Sequence, residues 1–127
     1  MNCQPQNHRL GEAIKGIADT DPAAPAIVSS KYNPFSYSQL VWQIEHVASS
    51  LSQSGFRKSA PLGIAINDTA PAALAIVAVA CSAVAIPLDQ NLTAAEIEIR
   101  LKLLDVDAVC VLAGHCAAAA KKLRCWL

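Results

Sequence analysis

The stretch VACSAVAIPLDQNLTAAE, Val79 to Glu96, decides the fold because it has two incompatible readings. It holds no Lys or Arg, and its only acids are Asp89 and Glu96. With the residues before it, it completes an uncharged run from Thr69 to Leu88, close to the length that crosses a bilayer as one helix. Three features oppose that reading. The run is mostly Ala and Val, so its transfer into lipid gains little compared with a Leu-rich span. Acids flank it, Asp68 and Asp89, where a span favours Lys, Arg, Trp or Tyr. Pro71 and Pro87 stand near its ends and Ser82 inside it. The run reads better in pieces: a helix over 70–81, a fully apolar strand over 83–88, and a new helix opened by Thr93 and Glu96 as a capping box and running to about Leu104. Pro71 is tolerated in a first helical turn because the amide hydrogen there has no helical partner.

The same logic extends in both directions. Leu10, Ala13, Ile14, Ile17 and Ala18 recur at helical spacing, predicting an amphipathic helix over 8–19 with Asn7 as its cap. PAIVSS (Pro25 to Ser30) and FSY (Phe35 to Tyr37) read as two short strands joined by the turn residues KYNP, hence a hairpin. Ser36 with Gln39 forms a second capping box, and Leu40, Val41, Ile44, Val47, Ala48 and Leu51 mark one apolar face behind it. Gly55 supplies the left-handed stop. PLGIAI (Pro61 to Ile66) is a buried strand, NDT (Asn67 to Thr69) turns and caps, VDAVCVL (Val106 to Leu112) is a further strand, and His115 to Leu127 a last helix. Strands apolar on both faces belong to a parallel sheet covered by helices. The fold class is therefore α/β: a parallel, helix-covered sheet, a partial doubly wound subdomain, preceded by a helix and a short β-hairpin.

At 127 residues the chain is one domain or one piece of a larger one, 1–127. Its formal net charge is zero, and its one basic knot, Lys121, Lys122 and Arg124, suits a helix end better than a nucleic-acid or anionic-membrane surface. Neither nucleic acid nor membrane is expected as a partner. The five cysteines, Cys3, Cys81, Cys110, Cys116 and Cys125, are odd in number and form no C-x-x-C pair. Free thiols and the absence of a secretory leader in MNCQPQNHRL point to the cytoplasm.

Chemistry is hard to find. GEAIKG (Gly11 to Gly16) imitates the spacing of a phosphate loop, but lies in a helical pattern with no Ser or Thr after its Lys. His8, His46 and His115 are isolated, and His46 falls off its helix's apolar stripe. Adjacent His115 and Cys116 would point about 100° apart on a helix, which disfavours a base–nucleophile pair. Asp89, at the end of a buried strand, stands where α/β sheets keep functional groups, though a polar loop residue that ends the strand is the simpler reading. No residue is assigned a catalytic, cofactor-binding or metal-ligating role.

Three segments in order resemble the start of the adenylate-forming superfamily, which comprises acyl-CoA synthetases, peptide-synthetase adenylation domains and luciferase-like enzymes. FSYSQL (Phe35 to Leu40) resembles its T/S-Y-x-E-L segment, with Gln39 for Glu. VASSLSQSGFRKSAPLGIAIND (Val47 to Asp68) resembles the helix–Gly–strand stretch that follows, with SAPLG (Ser59 to Gly63) where a Gly-Asp is usual. VACSAVAIPLDQNLTAAEIEIRL (Val79 to Leu101) resembles G-A-x-x-x-P-L-x-P-x-x-T-x-x-E-L, with Ser82 for Gly and Gln90 for Pro. PLD (Pro87 to Asp89) leans toward amino-acid adenylation, LTAAE (Leu92 to Glu96) toward acyl-CoA synthesis. The resemblance implies a reaction in which ATP, with magnesium, activates a carboxylate to an acyl-adenylate before a thiol takes the acyl group. It also implies that the phosphate loop, adenine and ribose contacts, hinge and catalytic Lys lie beyond the equivalent of Leu127. On that basis the chain is expected to be an N-terminal scaffold fragment, inactive alone and of low stability. Its partner would then be the remainder of the ligase, or another chain bound through exposed apolar surface. The alternative is a stand-alone α/β interaction module without catalysis.

Overall fold

The computed structural model describes residues 7–57, 60–89, 91–106 and 108–110. The elements run α1 (Asn7–Thr20), β1 (Pro25–Ile27), β2 (Phe35–Ser36), α2 (Tyr37–Gln53), β3 (Pro61–Ile64), α3 (Thr69–Ala80), β4 (Val84–Pro87), α4 (Ala94–Leu103) and β5 (Val109–Cys110). The expected helix from His115 onward and the end of the last expected strand lie outside the described residues.

The uncharged run is broken as expected. α3 has 12 residues, the chain turns at Cys81 and Ser82, and β4 follows. Among the described residues no helix is long and apolar enough to cross a membrane. Several boundaries differ from the sequence reading: β3 ends at Ile64 rather than Ile66, β5 begins at Val109 rather than Val106, and Thr69 belongs to α3. Asn7 is itself helical, so it is not the residue outside α1 that a cap must be. The strand expected over 25–30 stops at Ile27, and Val28 points into solvent. Tyr37 opens α2 rather than closing a strand, because Ser36 holds extended geometry and accepts the Gln39 amide at 3.2 Å, while the Ser36 amide donates to Gln39 Oε1 at 2.8 Å. Both halves of that capping box are made, and the same reciprocal pair joins Thr93 to Glu96 at the start of α4.

β1 and β2 form an antiparallel pair; β3, β4 and β5 form a parallel sheet in the order β4-β3-β5. Leu62 lies opposite Ala85, and Gly63 opposite both Ile86 and Val109. The chain leaves β3 in one direction to reach β4, then returns across β3 to reach β5. With crossovers of one hand, opposite directions place the connecting helices on opposite faces, and the packing agrees. Leu62, Ile64 and Ile66 meet Ala75, Ala78 and Val79 of α3 and Val47 and Leu51 of α2 on one face. Ile86, Leu88 and Val109 meet Leu101 and Ile97 of α4 on the other. Alternation along β3 thus feeds two cores, each apolar, as a covered parallel sheet requires. α1 packs on α2 through Ile14 and Ala18.

Both α2 and α4 end in the same hydrogen-bonded turn. After α2, Gly55 (φ 71°) donates to Ser52 O and Phe56 to Leu51 O, at 3.1 and 3.0 Å. After α4, Asp105 (φ 54°) takes the left-handed position, donating to Lys102 O at 3.2 Å while Val106 donates to Leu101 O at 2.8 Å.

Candidate functional site

The hairpin loop and the start of α3 meet in a cluster that the sequence did not announce. Ser29 Oγ accepts the Lys31 amide at 3.1 Å, folding the loop back. Lys31 Nζ then donates to Asp68 Oδ2 at 2.7 Å, and the Tyr32 hydroxyl donates to the same oxygen. The Lys31 ammonium also sits 5.3 Å from the centre of the Tyr32 ring. The hydrogen bond to Lys31, then that to Tyr32, holds the Asp68 carboxyl below its ordinary range. The hydrogen bond to Asp68 holds the Lys31 ammonium above its own. Asp68 precedes α3 in the capping turn, and its carboxylate is engaged chiefly by Lys31 and Tyr32, which ties the hairpin to the helix. Nothing in KYNP or NDT taken separately shows this, because the partners stand 37 and 36 residues apart.

Beneath that cluster lies a cleft of about 300 Å³ walled by β1, β2, α2 and α3, with Ile27, Phe35, Ala70, Pro71 and Leu74 on its sides. Gln43 projects into it from α2. It is only 7% exposed, and among the described residues its side-chain amide has no hydrogen-bond partner. Sequence reasoning passed over Gln43, although a signal existed. It stands three residues after Leu40 and four before Val47, within the apolar stripe of its helix.

Among the described residues, those singled out from sequence are not brought together. Asp89 Oδ1 accepts the Asn91 amide at 2.9 Å, and its carbonyl accepts the Leu92 amide at 3.3 Å, so it shapes the turn after β4. A smaller hollow of about 250 Å³ lies beside it, against Arg100, Leu103 and Leu104. Asp89 also follows an outer strand, whereas the reversal of strand order falls between β3 and β5, and ligands of open α/β sheets bind at such reversals. His46 is exposed and stacks on Trp42, ring centres 5.1 Å apart. Gly11 and Gly16 are inside α1, with Gly11 facing the Cys81 thiol. Burial pushes that thiol's pKa up, which suits a small apolar filler rather than a nucleophile. Cys3, His115, Cys116 and Cys125 lie outside the described residues, as do the side chains of His8 and Cys110.

Among the described residues, donors for a nucleotide–magnesium site do not come together. The sequence has no glycine-rich phosphate loop, and among the described residues no group of three or more His, Cys, Asp or Glu could hold a metal ion. No step of a nucleotide-dependent reaction is assigned to them.

Fold and sequence together define a helix-covered parallel subdomain of the adenylate-forming type. The AMP-binding enzyme family model matches residues 15–125. The chain belongs to that family. No curated protein matches it closely. Among solved structures, it superposes on a benzoate CoA ligase from Burkholderia xenovorans LB400 with a TM-score of 0.70 at 17% identity, covering 80% of this chain and 21% of that one. A Mycobacterium tuberculosis fatty acyl CoA synthetase gives 0.74 at 17% identity, covering 94% and 27%. A nonribosomal peptide synthetase bound to alpha-methyl-L-serine-AMP gives 0.72 at 19% identity, covering 82% and 12%. At these identities the likeness is one of fold. The chain spans about a quarter or less of the CoA ligases and about an eighth of the synthetase.

Proposed function

We propose that this chain is the N-terminal scaffold of an ATP- and magnesium-dependent ligase that activates a carboxylate as an acyl-adenylate and transfers the acyl group to a thiol. In this reading it carries none of the groups that perform the reaction. The observation that carries it is the family match over residues 15–125, combined with a described structure whose polar residues cap helices and close turns. The chain's contribution is mechanical. Two capping boxes fix where α2 and α4 begin, and the sheet between them offers edges at β4 and β5 on which further strands of such an enzyme can build. The cytosol is the matching compartment, since an odd number of thiols without a paired spacing suits reducing conditions.

The test is ATP–pyrophosphate exchange by the purified chain with a panel of aryl, fatty and amino acids. The expected result is no exchange above a blank without protein. Exchange that depends on one carboxylate would overturn the assignment of the chemistry to other polypeptide.

One observation favours a second reading, a non-catalytic interaction module: Leu103 is 79% exposed on α4, with Ile99 and Leu104 exposed near it. The scaffold reading expects this apolar surface to drive self-association of the isolated chain. A soluble monomer that takes up one defined protein partner would favour the module instead.

A further inference from the structure

We propose that the cleft between the hairpin, α2 and α3 binds a small uncharged molecule with an apolar body and a carboxamide head, the head being held by the side-chain amide of Gln43. Gln43 is 7% exposed and lines the cleft, and among the described residues nothing hydrogen-bonds its amide. A buried amide without a partner is unfavourable, and such groups in folded proteins are normally satisfied by protein, water or ligand. The space in front of it is about 300 Å³, the lower end of the range of small-molecule pockets.

The wall chemistry selects the ligand class. Ile27, Phe35, Pro71 and Leu74 offer apolar surface, and no charged side chain lines the cleft. The nearest carboxylate by position, Asp68 at the start of α3, is already engaged by Lys31 and Tyr32. An ion would therefore leave water and gain no opposite charge. Ala70 and Pro71 bring the first turn of α3 to the cleft, but Pro71 has no amide hydrogen and the Ala70 amide serves Asp68, so that turn offers an anion no free donor. Gln43 itself presents one acceptor and two donors on a planar group, so a second carboxamide can pair with it through two hydrogen bonds, whereas a hydroxyl or ketone makes fewer. This proposal does not rest on the ligase reading.

The experiment is titration of the isotope-labelled full chain with benzamide, followed by amide and side-chain NH₂ resonances. Saturable shifts at the Gln43 NH₂ and at Ala70 and Leu74 are expected, with a dissociation constant on the order of 1 mM. Benzoate should bind at least about tenfold more weakly, since the charge meets no partner. Gln43→Leu should weaken benzamide about tenfold while toluene still binds. Leu74→Trp, which fills the cleft from the opposite wall, should abolish both. Benzamide shifts that never saturate, or that are equal in Gln43→Leu, overturn the proposal. So does an unliganded chain whose Gln43 amide is occupied by ordered water that benzamide does not displace.

Discussion

The two faces of the β4-β3-β5 sheet are built from one strand by alternation, yet they are sealed to different degrees. On the α2/α3 face, Leu62 is 1% exposed, and Ala75, Ala78 and Val79 lie flush against the strands. Small residues on α3 let its backbone come close, and α2 and the hairpin cover what the sheet does not. On the α4 face, Leu88, Leu101 and Val109 form a smaller cluster, while Ile99, Leu103 and Leu104 remain exposed. A helix apolar all round, such as α3, needs neighbours on several sides. α3 has them in α2, β1, β3 and β4, whereas among the described residues α4 buries only Leu101, against Leu88 and Val109. Among the described residues the larger core therefore lies on the α2/α3 face.

Truncating each core tests the contrast most strongly. Leu62→Ala should cost about 4 kcal/mol and Leu101→Ala about 2 kcal/mol, because the second cavity can relax toward solvent. Urea unfolding followed by circular dichroism checks the order, and equal costs would break the comparison. Filling Gly63 tests the seam between faces. A Cβ there would lie 3.3 Å from Leu88 Cδ1 and Val109 Cγ2, and 3.4 Å from Leu101 Cδ2. Gly63→Val should destabilise by about 1–3 kcal/mol, with resonance changes concentrated in α4 rather than α3.

A smaller effect of opposite sign is expected at the end of α4. Gly55 and Asp105 occupy the same left-handed position after their helices, but only Asp105 has a Cβ to accommodate. Asp105→Gly should stabilise by about 0.5–1 kcal/mol and Gly55→Ala should destabilise by about 1 kcal/mol, both read from urea midpoints.

The smallest effect is acid sensitivity. The Thr93 backbone amide, as donor to Glu96, holds the Glu96 carboxyl below its ordinary value of 4.5. A carboxyl depressed in the folded state contributes stability above its unfolded value, and that contribution is lost as pH falls through the folded value. The box at Ser36 uses neutral Gln39 and has no such dependence. Amide protection, taken relative to the intrinsic exchange rate at each pH, should therefore fall in α4 but not in α2 as the medium is acidified below pH 4.5. The Lys31–Asp68 pair behaves similarly at its own limits. It is whole between the unfolded values of 3.8 and 10.5, and lost below the lowered Asp68 value or above the raised Lys31 value. Lys31 is exposed and Asp68 half-buried, so salt should weaken the pair's effect.

Much of this architecture was legible because its signals are local. Ser36 with Gln39, Thr93 with Glu96, and Gly55 each complete their chemistry within a few residues, so the starts of α2 and α4 and the end of α2 could be placed from sequence. Boundaries failed where a local propensity met a longer-range requirement. Pro25 to Ser30 has strand character throughout, but β2 supplies partners only as far as Ile27. Tyr37 suits a strand, but the cap at Ser36 had already committed the backbone to helix. The left-handed turn at Asp105 went unseen because nothing but glycine advertises that conformation reliably.

The sequence by itself determined the element order, the two capped helices and the division of the uncharged run, since hydrogen bonds and periodicity along one segment suffice for these. Only the tertiary structure decided that Asp68 pairs with Lys31 and Tyr32 of the hairpin, and that Gln43 lines the cleft. Both depend on which surfaces meet across more than 25 residues of intervening chain. A side chain's partner across such a distance is set by how helices and strands pack, which no short stretch of residues encodes.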